Sequence, residues 1–152
     1  MLRSVLIGAL AGARSMTPLA AVSVAARAGT LPPGNGAPAL LALPIAQAGA
    51  LAMAVGEVAG DKLPSAPDRI VPAGMAARVV TGAIAGAALA PREQRARAAV
   101  VAVGAAVVAS YVTFYARMGA LRRYGQFPTG LVEDALVAGG SWWVVNRMNP
   151  AR

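Results

Sequence analysis

The chain is 152 residues long, which suits one domain, but 57% of its residues are hydrophobic and only 13% are charged. Since a typical soluble domain has about 25% charged residues, so few charges could not cover a soluble fold, and the composition predicts lipid as the solvent. The absence of cysteine and histidine excludes disulfides, thiolate metal sites, haem ligation by histidine, and Cys–His or Ser–His nucleophiles.

The net charge of +8 comes from thirteen arginines and one lysine, a surplus that in a soluble protein would suggest nucleic-acid binding. The arginines are spread between apolar segments instead of clustering, and no aromatic residue precedes Tyr111. We therefore interpret them as membrane-topology signals and as contacts for anionic headgroups, and we expect no nucleic-acid partner.

The first apolar segment, residues 2–28, carries Arg14 in its middle, followed by SMTP. Three interpretations are open. MLRSVLIGALAGA has the layout of a cleaved signal peptide. The segment could instead cross the membrane once as a span broken between Arg14 and Pro18, or turn back as a re-entrant pair of short helices, residues 2–13 and 18–28. Each half would be about 15–18 Å long, which suits a half-span.

Two further segments are long enough to cross a bilayer, which takes roughly 20 residues. Residues 37–59 belong to a stretch without charge from position 28 to position 56, and residues 98–116 are the second clean span. Pro44 is expected to bend the first of these helices, because proline lacks the amide proton and clashes with the preceding turn.

Two other apolar segments are interrupted by charge: residues 72–90 carry Arg78, and residues 129–146 carry Glu133 and Asp134. A charge inside a membrane segment costs about 2.5–3.5 kcal/mol and persists when it faces the bundle interior or a wet cavity. The predicted fold is therefore all-α, a polytopic transmembrane bundle of four full spans plus a broken or re-entrant N-terminal segment.

Three G-x-x-x-G patterns predict close helix contacts, and with them a possible homo-oligomer: GALAG at residues 8–12, GEVAG at 56–60 and GAIAG at 82–86. GALAGA also resembles GAIAGA, and acids follow in both halves of the chain. Either an ancient duplication, with halves of about 1–72 and 73–152, or low complexity explains this match within a single membrane domain.

The charged residues are expected to meet at one membrane surface. Because successive helices alternate in direction, the helix over residues 37–59 ends on the side where those over residues 72–90 and 129–146 begin. Arg14 can reach this side whether its segment crosses or turns back. The candidate pathway residues are Arg14, Glu57, Asp61, Lys62, Asp68, Arg78, Glu133 and Asp134.

The stretches GARSMTPLA, GDKLPSAPDRIVPAGMAARVVTGAIAGA and GLVEDALVAG resemble a family of small multi-pass bacterial membrane proteins, domain of unknown function 4126. The resemblance covers most of the chain and implies an inner-membrane helix bundle, without implying an activity. Its most specific elements, D-K-x-P…D and E-D, are matched by Asp61, Lys62, Pro64, Asp68, Glu133 and Asp134. The loop arginines favour cytoplasmic termini if the first segment is re-entrant and are evenly split if it crosses once.

The leading hypothesis for function is a small transporter or channel, in which the cluster binds a polar or charged solute and its carboxylates exchange protons. The broken ARSMTP segment supports it, because discontinuous helices often end at binding sites. The alternative is a structural or scaffold protein whose charges pair internally. A water-filled cavity among these side chains would favour transport, and a closed lattice of ion pairs would favour the structural role.

An intramembrane enzyme is a third interpretation, and not the one expected. Asp61 and Asp134 would form an acid–base dyad, or Ser65 near Lys62 a nucleophile with its base. AGD falls short of the glycine-aspartate motif of intramembrane aspartyl proteases, and the Ser-x-x-Lys order is absent. We expect no cofactor, and the nearby arginines argue against a metal ion held by carboxylates.

Overall fold

The computed structural model describes residues 1–61 and 71–148, which form six α-helices and two short 3-10 helices and contain no β-strand. The all-α prediction is confirmed for these residues. Lys62, Pro64, Ser65 and Asp68 lie outside them. The α-helices are α1 (Leu2–Ala13), α2 (Met16–Arg27), α3 (Pro44–Gly60), α4 (Pro72–Ala88), α5 (Arg95–Tyr124) and α6 (Gln126–Asn146), and the 3-10 helices are Ala39–Ala42 and Arg92–Gln94.

The predicted break in the N-terminal segment is confirmed. Helix α1 ends at Ala13, and Arg14 is extended with φ −141° and ψ 118°. Helix α2 begins at Met16, two residues earlier than predicted. It tolerates Pro18 because a proline in the first helical turn removes an amide that has no partner inside the helix.

Helices α1 and α2 run in opposite directions and form a hairpin whose tip is Arg14–Ser15. Near the start of α1, the Ser4 hydroxyl donates to the carbonyl of Gly86, late in α4, at 3.0 Å. Near the end of α2, the Ser23 hydroxyl donates to the carbonyl of Leu41, ahead of α3, at 3.0 Å. Both open ends of the hairpin therefore lie at one end of the bundle, the terminal end, and its tip lies at the other, the tip end.

Helix α1 is the central helix of the bundle and packs on α2, α4, α5 and α6. The buried apolar core lies toward the terminal end, where Ile7 and Val22 of the hairpin pack with Val144 and Val145 of α6. Cleavage after residue 13 would remove this central helix, which argues against the signal-peptide interpretation.

Two of the three G-x-x-x-G motifs pack against α5. A Cβ atom on Gly8 would overlap the backbone of Ala102, and one on Gly86 would overlap the Ala102 side chain. Because these glycines have no side chain, the backbones of α1 and α4 can pack closely against α5. GEVAG behaves differently, since nothing lies within 4 Å of a Cβ built on Gly56 or Gly60. Among the described residues the prediction that this motif packs is wrong, and the homo-oligomer stays a prediction.

The prediction that Pro44 bends a helix is also wrong. Pro44 is the first residue of α3, and the residues before it form the 3-10 helix Ala39–Ala42. The fixed φ of proline suits the first position of a helix, and the missing amide would have no intrahelical partner there. The predicted helix over residues 37–59 is therefore a short turn followed by a separate helix.

Helix α5 is longer than predicted, and it belongs to the one helical stretch in the described residues, Arg92–Tyr124, that is long and apolar enough to cross a membrane. Gly125, with φ +79°, separates α5 from α6 in a conformation that favours glycine. One such stretch is weak evidence of a membrane protein, so the four-span prediction stays a prediction.

Candidate functional site

The hairpin tip places Arg14 in a group of charged side chains from four elements. We call this group the tip cluster; its described members are Arg14, Glu57, Asp61, Arg117, Glu133 and Asp134. Arg14 is only 1% exposed, as the inward orientation predicted from sequence requires. Its Nη1 lies 2.6 Å from Oδ2 of Asp61 and 3.2 Å from the carbonyl oxygen of Glu57, and its Nη2 pairs with Asp134. One guanidinium thus ties the hairpin tip to α3 and to α6.

The Glu57 side chain caps helix α2. Its Oε1 accepts hydrogen bonds from the backbone amide and the hydroxyl of Ser15, both at 2.8 Å, and its Oε2 accepts one from the amide of Met16 at 3.0 Å. The first amides of a helix have no intrahelical acceptor, and the helix dipole makes that end favourable for an anion. Glu57 of α3 therefore caps α2, because the side chain of the N-cap residue, Ser15, makes no capping hydrogen bond.

Asp61, at the end of α3, is held by two arginines. Oδ2 of Asp61 lies 2.6 Å from Arg14 Nη1 and 3.1 Å from Arg117 Nη1. Its backbone carbonyl accepts from Arg117 Nη2 at 3.3 Å and from Gln126 Nε2 at 3.0 Å. Asp61 therefore connects the hairpin tip with α5 and with the start of α6.

Arg117 is the cluster member that the sequence analysis missed. Besides Asp61 it contacts Glu133, with 3.3 Å between Nη1 and Oε2, so its guanidinium links α5 to both α3 and α6. The predicted span ended at residue 116, and Arg117 was treated as part of a flank. The topology argument that placed the other charges would have included it, because that span ends on the same side.

Five of the predicted residues are brought together at the tip: Arg14, Glu57, Asp61, Glu133 and Asp134. Arg78 is buried on α4, with 5% of its surface exposed, as expected of an inward-facing charge. Lys62 and Asp68 lie outside the described residues. Among residues 1–61 and 71–148, no group of three or more acidic side chains is arranged to hold a metal ion.

A groove between α5 and α6 reaches the tip cluster. A cavity of about 200 Å³ is lined by Arg117 and Glu133 together with Ala116, Ala120, Val132 and Leu136. A second cavity of about 400 Å³ shares Ala120 and Val132 with the first and extends toward Tyr124 and Pro128. The two cavities form what we call the α5–α6 groove, and within residues 1–61 and 71–148 it leaves one side of the tip cluster open.

The chemistry available at the tip is that of carboxylates and guanidinium groups. Asp61 and Asp134 bind different nitrogens of Arg14. The two acids of the acid–base dyad considered above are therefore bridged by a guanidinium. The Ser15 hydroxyl is bonded to a carboxylate and not to a base such as lysine. This arrangement can bind charged groups and exchange protons, and it offers no activated nucleophile among the described residues.

Comparison with known proteins agrees with the resemblance drawn from the motifs. No curated protein and no solved structure matches the chain. One family model matches residues 1–147, and thus nearly the whole chain, including every described member of the tip cluster. The chain belongs to the family described as Domain of unknown function (DUF4126).

Proposed function

We propose that the chain is a multi-pass protein of the bacterial inner membrane, in which α3–α6 cross the bilayer around the re-entrant α1–α2 hairpin. Large apolar side chains are exposed on each crossing helix, among them Val55 (68%), Val80 (56%), Val108 (64%) and Leu136 (68%). Exposed apolar surface of this extent marks a lipid or protein contact. At about 1.5 Å per residue, α3 and α4 are about 26 Å long and α6 about 32 Å, close to the roughly 30 Å hydrocarbon core.

The distribution of arginines favours an orientation with both termini in the cytoplasm. The terminal end carries Arg3, Arg27, Arg92, Arg95, Arg97 and Arg147 among the described residues. At the tip end, the described arginines in helix flanks outside the tip cluster are Arg122 and Arg123, in the last turn of α5. By sequence, the stretch between α3 and α4 adds Lys62 and Arg69, and Arg78 lies within α4. Since positive loops stay in the cytoplasm, the terminal end is the cytoplasmic one and the tip end faces the opposite side.

Within this membrane protein, the tip cluster is the binding site of a small transporter or channel for a polar or charged solute. The observation that carries the proposal is the break in the hairpin at Arg14–Ser15, where charges from α3, α5 and α6 converge. Non-helical backbone at membrane depth is tolerated where protein or water covers it, and Glu57 covers the exposed amides of α2. Discontinuous helices and intramembrane charges mark solute pathways in transporters.

A structural role is the second candidate, and the pairing of buried Arg14 with two carboxylates favours it. Its guanidinium is buried and binds Asp61, Asp134 and the Glu57 carbonyl. Buried ion pairs of this kind can fix geometry without adding stability. The α5–α6 groove supports transport instead, because it gives Arg117 and Glu133 a route to the outside of the bundle.

Flux in liposomes separates the two functions. Purified protein should carry a small ion or polar solute, screened by ion-selective dyes and labelled solutes, and Glu133→Gln should change that flux per folded protein. The amide keeps the shape of the side chain but cannot carry charge or cycle a proton. The matched control is Glu93→Gln, an exposed acid at the terminal end. Wild-type protein that passes no solute, with Glu133→Gln differing only in stability, would establish the structural role.

A further inference from the structure

The α5–α6 groove has mainly apolar walls and a charged floor. Its walls are mainly apolar: Ala116 and Ala120 on α5 face Val132 and Leu136 on α6. Two threonines also line it, Thr113 and Thr129, and their hydroxyls donate to backbone carbonyls. Its floor holds a guanidinium and a carboxylate, those of Arg117 and Glu133. The small alanine side chains leave the space between the two helices unfilled. A pocket built this way fits a ligand with an apolar body and a charged end.

The floor presents both signs of charge at once. Arg117 and Glu133 lie 3.3 Å apart, and their side chains are 12% and 15% exposed. Arg117 is also held by Asp61, through Nη1 at 3.1 Å and through Nη2 at 3.3 Å. These bonds keep the guanidinium in place if Glu133 turns toward a ligand. The floor can therefore offer a fixed cation and an adjacent anion.

The groove opens on an apolar surface of the bundle. Val132, Leu136 and Tyr124, which line it, are 60%, 68% and 67% exposed. In a bilayer such side chains face acyl chains, so a ligand reaches the floor from the lipid. The occupant that matches both the walls and the access route is a membrane amphiphile.

We propose that the α5–α6 groove binds a zwitterionic phospholipid from the bilayer, with an acyl chain along the apolar walls and the headgroup at Arg117 and Glu133. This rests on the proposed membrane topology and goes beyond the proposed transport of a small solute by naming a ligand for the groove beside the tip cluster. The Arg117–Glu133 contact opens, Arg117 donates to the phosphate, and Glu133 accepts from the ammonium. No proton moves and the net charge of the site stays constant. An anionic head would meet Glu133, and a cationic head Arg117, as like charges.

The walls are tested with one pair of variants and native mass spectrometry of the purified protein. The lipids are phosphatidylethanolamine, phosphatidylglycerol and a cationic lipid, all with the same acyl chains. Wild-type protein should retain phosphatidylethanolamine about tenfold more strongly than the other two. Val132→Trp fills the groove and should abolish this retention, whereas Leu131→Trp, at an exposed neighbour outside the lining, should preserve it. Equal retention of all three lipids, or by both variants, overturns the proposal.

The floor is tested by selectivity, which a loss of stability alone would not change. In Glu133→Gln the preference for phosphatidylethanolamine over phosphatidylglycerol should disappear, because the carboxylate that binds the ammonium is gone. An unchanged preference overturns the proposal. Solute flux without selective lipid retention would leave the transport proposal standing and remove this one. Selective lipid retention without flux of any solute would support lipid binding and remove the transport proposal.

Discussion

The carboxylate of Glu57 accepts the backbone amide of Ser15 at 2.8 Å, so a side chain of α3 caps the N-terminus of α2 across the tip of the hairpin. The same carboxylate also accepts from Met16. This relationship explains how the break between α1 and α2 can be buried without leaving the first amides of α2 unsatisfied. It also makes the tip of the hairpin depend on a residue that lies 42 positions away in the sequence.

Removing this cap should destabilise the fold. Glu57→Ala leaves the amides of Ser15 and Met16 without their acceptor, and the expected loss is about 1–3 kcal/mol of the free energy of unfolding. Glu57→Gln retains an acceptor oxygen and should lose less. Thermal unfolding in detergent measures both. Glu93→Ala, an exposed acid at the terminal end, is the control and should melt like wild type. A melting temperature for Glu57→Ala equal to that of the control would show that the cap contributes nothing.

Lysine should not fully replace Arg14 as the bridge between Asp61 and Asp134. Arg14 uses separate nitrogens for Asp61 and Asp134, a geometry that a single ammonium cannot reproduce. Arg14→Ala should cost about 1.5–3 kcal/mol, because it removes charge-assisted bonds to two partly buried carboxylates, and Arg14→Lys should recover only part of that loss. Chemical or thermal unfolding checks the order of stability. Arg122→Ala, an exposed arginine of α5, serves as the control. Full recovery by lysine would mean that only the charge of Arg14 matters.

Glycine should be required where helices touch and dispensable where they do not. Gly8→Ala places a Cβ against the backbone of Ala102 and should destabilise the α1–α5 contact by about 1–3 kcal/mol. Gly56→Ala adds the same methyl group where nothing lies within 4 Å. Since alanine favours a helix over glycine by about 1 kcal/mol, this variant should be neutral or stabilised. Equal effects of the two substitutions on the melting temperature would contradict the packing of α1 on α5.

Much of the tip cluster followed from the order of the helices alone. Neighbouring helices alternate in direction, so the acids at the end of α3 are expected on the same side as Glu133 and Asp134 in the first half of α6. Arg117 lies outside the predicted span because that span stops before its first charged residue. Helix α5 continues to Tyr124 because ALRR, which follows Gly119, contains good helix formers.

The course of the N-terminal segment could not be predicted from its own residues. A single crossing and a hairpin have the same hydropathy, and the difference lies in tertiary contacts, such as the bonds of Ser4 to Gly86 and of Ser23 to Leu41. The prediction that Pro44 bends a helix is wrong for a related reason. Whether a proline bends a helix or begins one depends on where the preceding turn ends, and apolar residues run through both.

The central claim is that the first two helices form a re-entrant hairpin with its tip in the tip cluster, and single-cysteine labelling tests it most directly. The chain has no cysteine, so every introduced thiol is unique. Leu2→Cys and Arg27→Cys, at exposed positions on the two arms, are treated with a membrane-impermeant maleimide. In spheroplasts both should stay unlabelled while Phe127→Cys, exposed at the tip end, reacts; in inside-out vesicles the pattern should reverse. Labelling of Leu2→Cys and Arg27→Cys from opposite sides of the membrane would contradict the account.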